Sequence, residues 1–193
     1  GIPGWVNVEN CVAAVASMVC AARKRNEELS EQKLQTALEK FSGVKRRFEF
    51  YVNTPRQVYM DDYAHHPREI SASLTSIRGN FPDYKLTAIF QPHLYTRTRD
   101  FAEGFAESLS NVDRLILLDI YPAREEPIPG VTSEIIFKGV TAPEKILLKK
   151  EELMDYMKSL EIGEKEVFVT VGAGDIDRFV EPIRELLEAE ILR

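Results

Sequence analysis

The chain has 193 residues, 44% of them hydrophobic and 29% charged, with a formal net charge of −6. That length suits one large domain, or one domain and a piece of another, with the balance of an ordinary soluble globular protein. No long basic run favours nucleic acid or an anionic membrane, and no apolar run approaches the roughly 20 residues that cross a bilayer, so neither is expected as a partner.

The sequence opens at Gly1 without a signal-peptide pattern, which is expected of the cut end of a longer protein or of a processed one; a cytoplasmic location is expected from the two cysteines. Val8, Cys11, Val12, Val15, Met18 and Val19 recur at helical spacing and predict a helix from Asn7 to about Arg25. Cys11 and Cys20 lie nine residues apart on it. A helix would hold them about 13 Å apart, too far for a disulfide, so two buried reduced thiols are expected. Ser30 is the expected N-cap of a second helix through Lys40, with Leu34, Ala37, Leu38 and Phe41 on its apolar face. Gly43 ends that helical region.

Two strands are predicted next, near Arg47–Val52 and Gln57–Asp61, joined across Asn53-Thr54-Pro55-Arg56. Pro67 fits the first position of a helix running to Phe81, with Ile70, Leu74 and Ile77 inward. The pattern then reads as strand Leu86–Phe90, helix Arg99–Leu109 and strand Leu115–Ile120. A proline-rich loop through Pro129 and a helix Thr132–Lys138 follow. The remainder reads as strand Lys145–Leu148, helix Glu151–Leu160, strand Val167–Val171 and a last helix from Gly172 through Leu187. This alternation predicts an α/β fold, a mostly parallel sheet with helices on both faces.

In such a sheet the polar stretches Asp62–His66, His93–Arg97, Tyr121–Glu126 and Gly172–Asp175 all follow strands and share one edge, where α/β sheets bind ligands. All three histidines, His65, His66 and His93, fall in two of these stretches. With Asp62 they have the chemistry to bind a metal, but adjacent histidines on extended backbone face apart and the spacing is not a zinc motif, so no metal is assigned. Gly172-Ala173-Gly174 resembles the start of a dinucleotide fingerprint, but Asp177 stands where the third glycine belongs; a tight strand-to-helix turn explains it as well. Arg46, Arg47, Arg97 and Arg99 carry forks suited to carboxylate or phosphate, or are ordinary solvated surface. Asn7 and Asn10 share one helix side, where amides can meet a base edge or cap the helix. No P-loop motif exists in the chain, so nothing in it cradles a triphosphate unaided.

Taken together, Asp61-Asp62-Tyr63-Ala64-His65-His66-Pro67 and Phe90-Gln91-Pro92-His93-x-Tyr95-Thr96-Arg97-Thr98 resemble the Mur ligase family of peptidoglycan synthesis. Gly43-Val44-Lys45-Arg46-Arg47-Phe48-Glu49, Tyr121-Pro122-Ala123-x-Glu125-x-Pro127-Ile128 and Gly172-Ala173-Gly174-Asp175-Ile176 add to the match, which runs along nearly the whole chain. The motifs resemble those of members that join L-alanine to UDP-N-acetylmuramate. The resemblance implies a Rossmann-like C-terminal domain over residues 44–193, preceded over residues 1–43 by the last helices of a central ATPase domain. It implies ATP with Mg2+ as cofactor, an acyl phosphate intermediate, and the rest of the same polypeptide as partner; this portion alone is expected to be inactive.

By resemblance, Asn7 and Asn10 meet adenine, Arg47 a phosphate and Asp62 the ribose. Tyr63, His93 and Arg97 line the L-alanine site, with His65 and His93 in catalytic positions. Leu94 departs from the arginine common in the family, so the alanine carboxylate falls to Arg97, alone or with Arg99 or Arg68. Val6 also departs, from a histidine. The alternatives are a related ligase adding a preformed peptide, a nucleotide-binding module without chemistry, and a metal-dependent hydrolase.

Overall fold

The computed structural model describes residues 5–41 and 43–191, with side chains from residue 8 in the first helix. Its contacts divide into two units, Gly1–Val44 and Lys45–Arg193. In the first unit lie α1 (Trp5–Arg25) and α2 (Glu31–Lys40). Ser30 caps α2, its hydroxyl accepting from the Lys33 N–H. Part of the apolar pattern of α1 is exposed, with Val8 at 47%, Val12 at 63% and Met18 at 48%, while Val15 and Val19 are half-buried and Ala22 is buried. Cys11 is half-buried and Cys20 exposed, both free. The expectation of two buried thiols therefore fails: Cys11 shares the half-buried side of α1 with Val15 and Val19, and Cys20 lies on its exposed side.

In the second unit, β1 (Glu49–Asn53), β2 (Gln57–Asp62), β3 (Lys85–Phe90), β4 (Arg114–Leu118), β5 (Glu144–Leu148) and β6 (Glu166–Val171) form a six-stranded sheet in the order β1-β2-β6-β3-β4-β5. β1 runs antiparallel to β2, and all other pairs are parallel. Thr54 makes the β1–β2 turn, its N–H and hydroxyl both donating to the Gln57 carbonyl.

Strands β2, β4 and β6 are buried at every position, as parallel strands covered on both faces must be. Alternate side chains serve two cores. Met60, Phe90, Leu117 and Val169 pack under α3 (Pro67–Asn80), α5 (Ala102–Leu109) and α6 (Glu134–Phe137), through Ile70, Leu74, Ile77, Phe105 and Ile136. Tyr59, Ile89, Ile116 and Phe168 pack under α7 (Leu153–Ser159) and α8 (Val180–Ile191), through Leu153, Met157, Val180, Ile183 and Leu187. Fully burying such side chains contributes about 1.5–3 kcal/mol each. The expected α/β sheet with helices on both faces is the fold observed.

Several boundaries differ from expectation. The helix expected over Arg99–Leu109 is two helices, α4 (Tyr95–Asp100) and α5, broken at Phe101. Phe101 leaves helical geometry and meets the His66 ring edge-on, at 4.7 Å between centroids. Gly104 lets α5 approach α3, since a Cβ there would lie 3.1 Å from Pro67. The last helix opens with a 3-10 turn over Asp175–Phe179 and runs on to Ile191. A 3-10 turn over Lys150–Glu152 likewise precedes α7.

Candidate functional site

Because β2, β6, β3 and β4 are parallel neighbours, the segments that follow them meet on one edge of the sheet. Positive φ is used at the bends: Arg46 (57°), Phe48 (50°), Leu94 (74°), Ala123 (53°) and Gly172 (143°). Gly172 needs its glycine for space as well, since a Cβ would come within 2.8 Å of the Gln91 carbonyl oxygen. Gly174 allows Tyr121 to approach, where a Cβ would lie 2.8 Å from the Tyr121 Cβ.

On the β3 side, the His93 ring stacks on Tyr121, 5.7 Å between centroids with 25° between planes. Arg97 Nη1 lies 3.3 Å from His93 Nδ1. A guanidinium only donates, so Nδ1 accepts and the ring proton sits on Nε2. Burial, the Arg97 charge and the charge of His65 all push the His93 pKa below its ordinary value, against Glu125. His93 is thus held neutral, offering an Nε2–H. Arg97 lies on α4 rather than on a loop, and among the described residues it has no carboxylate within ion-pair distance. Of the other arginines considered, Arg99 bonds Asp100 at 2.8 Å and Arg68 is exposed.

On the β2 side, His65 Nδ1 lies 3.0 Å from the Tyr63 carbonyl oxygen and 3.5 Å from a Glu69 oxygen. Both partners accept, so His65 carries its proton on Nδ1 and leaves the Nε2 lone pair free when neutral. The two histidines therefore present opposite chemistry, a donor at His93 and an acceptor at His65. His66 instead serves the backbone, where its Nδ1 accepts from the Arg68 N–H and caps α3. Tyr63 is 37% exposed, with the Arg46 and Arg47 guanidiniums 5.1 and 5.8 Å from its ring centroid. Arg47 is exposed, and among the described residues no carboxylate lies in ion-pair range of it.

Asp62 is 3% exposed. Its Oδ1 accepts from the Ala64 N–H at 2.9 Å and its Oδ2 from the Ser73 hydroxyl at 2.9 Å. Both oxygens bond within the β2–α3 region and burial pushes the pKa up; each oxygen keeps a second lone pair, the acceptor capacity that the expected ribose contact calls on. Sequence reasoning named Arg46 as a fork for carboxylate or phosphate but not its partners: its Nε bonds the buried Asp61 at 2.8 Å and its Nη2 the Gly172 carbonyl at 2.7 Å. It also missed Gln91. The Gln91 amide donates to Asp175 at 2.8 Å and its oxygen accepts from the Ile176 N–H, while Lys150 bonds Asp175 at 2.7 Å. No local pattern announces these partners, which lie 85 residues apart in the case of Gln91 and Ile176.

Asn10 lies exposed on α1, and the side chain of Asn7 lies outside the described residues. Among the described residues no three His, Cys, Asp or Glu side chains gather as a metal cage requires. No described helix is long and apolar enough to cross a membrane.

A family model described as Mur ligase, glutamate ligase domain, matches residues 46–174. The chain belongs to the Mur ligase family. The match takes in the whole histidine- and arginine-bearing edge of this Mur ligase chain. It is 52% identical over 191 residues to the UDP-N-acetylmuramate–L-alanine ligase of Parabacteroides distasonis, covering 99% of this chain and 39% of that relative. The same-named protein of Phocaeicola vulgatus is 48% identical over 188 residues, covering 97% of this chain and 39% of the relative. Among solved structures, the UDP-N-acetylmuramate-alanine ligase of Thermotoga maritima matches with a TM-score of 0.75 at 28% identity, over 98% of this chain and 39% of that one. A murein peptide ligase from Psychrobacter arcticus shares the fold, with a TM-score of 0.62 at 23% identity over 98% of this chain and 38% of that one. The Mur ligase chain thus spans 39% of the length of these curated relatives.

Proposed function

We propose that this chain is the C-terminal, amino-acid-binding part of an ATP-dependent, ADP-forming ligase that joins L-alanine to UDP-N-acetylmuramate through an acyl phosphate, in cytoplasmic peptidoglycan synthesis. The observation that carries this is the Arg97–His93 pair on the ligand edge of the sheet: a guanidinium without a carboxylate partner among the described residues, beside a neutral imidazole. The Arg97 fork grips the alanine carboxylate, helped by His93 Nε2–H. Tyr63 borders the same site. His65 Nε2 accepts the proton that the alanine ammonium loses before its nitrogen attacks the acyl carbon. The 52% identity to a ligase whose name specifies L-alanine supports that substrate over a preformed peptide.

Arg47 suits a phosphate oxygen, since its exposed guanidinium has no competing carboxylate among the described residues. Asn7 and Asn10 are assigned to adenine, and Asp62 to the ribose hydroxyls, with the acceptor capacity its two loop bonds leave. ATP supplies the phosphoryl group that activates the muramate carboxylate. The main phosphate and Mg2+ ligands are assigned to the remainder of the polypeptide, as are residues 1–43 to the end of its central ATPase domain and 44–193 to its Rossmann-like C-terminal domain; the division of contacts after Val44 accords with this.

The test joins this chain to the upstream part of the Parabacteroides distasonis relative and follows phosphate release. The hybrid is expected to release phosphate only when UDP-N-acetylmuramate, ATP and L-alanine are all present, and the 193-residue chain alone to release none. Release that depends on a preformed peptide instead of L-alanine would replace this reading with the peptide-adding one. A folded hybrid that binds ATP but is inactive with both would favour a module without chemistry.

A further inference from the structure

Helix α4 carries Arg97 but lacks a cap of its own: Leu94, the preceding residue, sits at φ 74° and makes no side-chain capping bond. The missing acceptor comes from 29 residues away in sequence. One Glu125 oxygen accepts from the Thr96 N–H at 3.0 Å and the other from the Thr96 hydroxyl. The same two segments are tied again by their backbones, Tyr121 N–H donating to the Pro92 carbonyl and Leu94 N–H to the Tyr121 carbonyl. Tyr121 then stacks on His93, whose ring meets Arg97. The Arg97–His93 pair is therefore enclosed in a ring of contacts that Glu125 closes.

We infer that Glu125 is a positioning residue for amino-acid binding: by capping α4 from the segment after β4, it holds Arg97 where its fork meets the incoming carboxylate. This rests on the proposed function and adds a residue that touches neither substrate. A carboxylate suits this position because it takes both Thr96 donors at once, and bonds to a charged acceptor are the stronger kind. Glutamine can accept only on its single oxygen, and alanine on none.

The test is steady-state kinetics of the hybrid ligase with each substrate varied. Glu125→Ala is expected to raise KM for L-alanine about tenfold or more while leaving KM for ATP within about twofold, the size of losing bonds to one charged group. Glu125→Gln should recover part of the loss. Should Glu125→Ala fail to fold, Thr96→Val, which removes the hydroxyl alone, is expected to show the same split at smaller size. Equal loss for both substrates, or no change in either variant, overturns the inference. Arg97→Ala separates the two levels: if it raises KM for L-alanine and Glu125→Ala does not, the positioning role alone fails; if it has no effect, the amino-acid reading itself fails.

Discussion

The two edges of the sheet both concentrate charge, yet they are built to opposite ends. At the amino ends of the strands, Arg114 is 8% exposed and lies between Glu144 and Glu166, at 2.7 and 2.8 Å. Lys85 completes the pairing on Glu144 at 2.6 Å, and the Thr87 hydroxyl donates to Glu166. Each charge there has its partner inside the domain. At the carboxyl ends, Asp61, Asp62, Glu125 and Asp175 are consumed internally, but Arg47 and Arg97 keep guanidinium donors without a carboxylate partner among the described residues. A charged cluster is therefore a poor marker of a site. Spare hydrogen-bonding capacity, held rigid by groups that have none to spare, is the better one.

The contrast between the edges breaks most visibly at Glu166, which is fully buried. Glu166→Ala leaves Arg114 with only the half-exposed Glu144 and the Thr87 hydroxyl without its acceptor. It is expected to cost about 3–5 kcal/mol, read from the denaturant midpoint. A loss no larger than that of an exposed ion pair, about 1 kcal/mol or less, would show that the closed edge is not a closed network.

Arg97→Ala should act on binding instead. Leaving the alanine carboxylate uncompensated is expected to reduce kcat/KM for L-alanine in the hybrid ligase by about 2–5 kcal/mol, with little change for ATP or in the denaturant midpoint. Arg97→Lys should restore only part, because an ammonium lacks the fork. A large drop in stability with both substrates affected alike would place Arg97 among the structural charges.

Asp62 sharpens the boundary between the two kinds of charge. Asp62→Ala strands the Ser73 hydroxyl and the Ala64 N–H, with an expected cost of about 1–3 kcal/mol in the denaturant midpoint. Thermal and chemical melts at unchanged stability, with ATP binding alone weakened, would make Asp62 a ligand without a structural share.

The smallest effect is a pH dependence. The two Thr96 bonds, and the Tyr95 amide beside them, hold the Glu125 carboxyl below its ordinary value against its burial; the Arg99 charge faces it, and His93 adds a charge only once acid protonates it. A lowered carboxylate pKa contributes stability that is present above the unfolded value, about 4.3, and is lost as pH falls through the folded one. The Thr96 amide resonance should therefore move at lower pH than the bulk carboxylates titrate. His93, whose charged form is disfavoured, should titrate below its ordinary value of about 6.5. A Thr96 amide that moves together with the bulk carboxylates would mean the cap is not formed.

Much of the fold was legible because its signals are local. The short apolar runs of β2, β3, β4 and β6, Pro67 at a helix start, and Ser30 as a cap can each be read within one turn or strand. The clustering of His65, His93 and Arg97 on one edge followed from strand direction alone. α4 was not legible, and the reason is physical. Its cap comes from Glu125, so Tyr95-Thr96-Arg97-Thr98 contains no start signal of its own. The cysteines were misplaced for a similar reason, since periodicity marks an apolar face without saying what covers it.

The sequence by itself determined the α/β class, the shared edge and the chemical types gathered there, because alternation and hydrophobic period act over a few residues. Only the tertiary structure decided which charges are consumed and which remain available. Asp62 was bound into its loop because Ser73 reached it, Arg46 was drawn to Asp61 and Gly172, and Arg97 was left with a neutral His93 and no carboxylate among the described residues. Those outcomes depend on groups distant in sequence meeting at hydrogen-bond distance, and that proximity exists only once the sheet has brought its strand ends together.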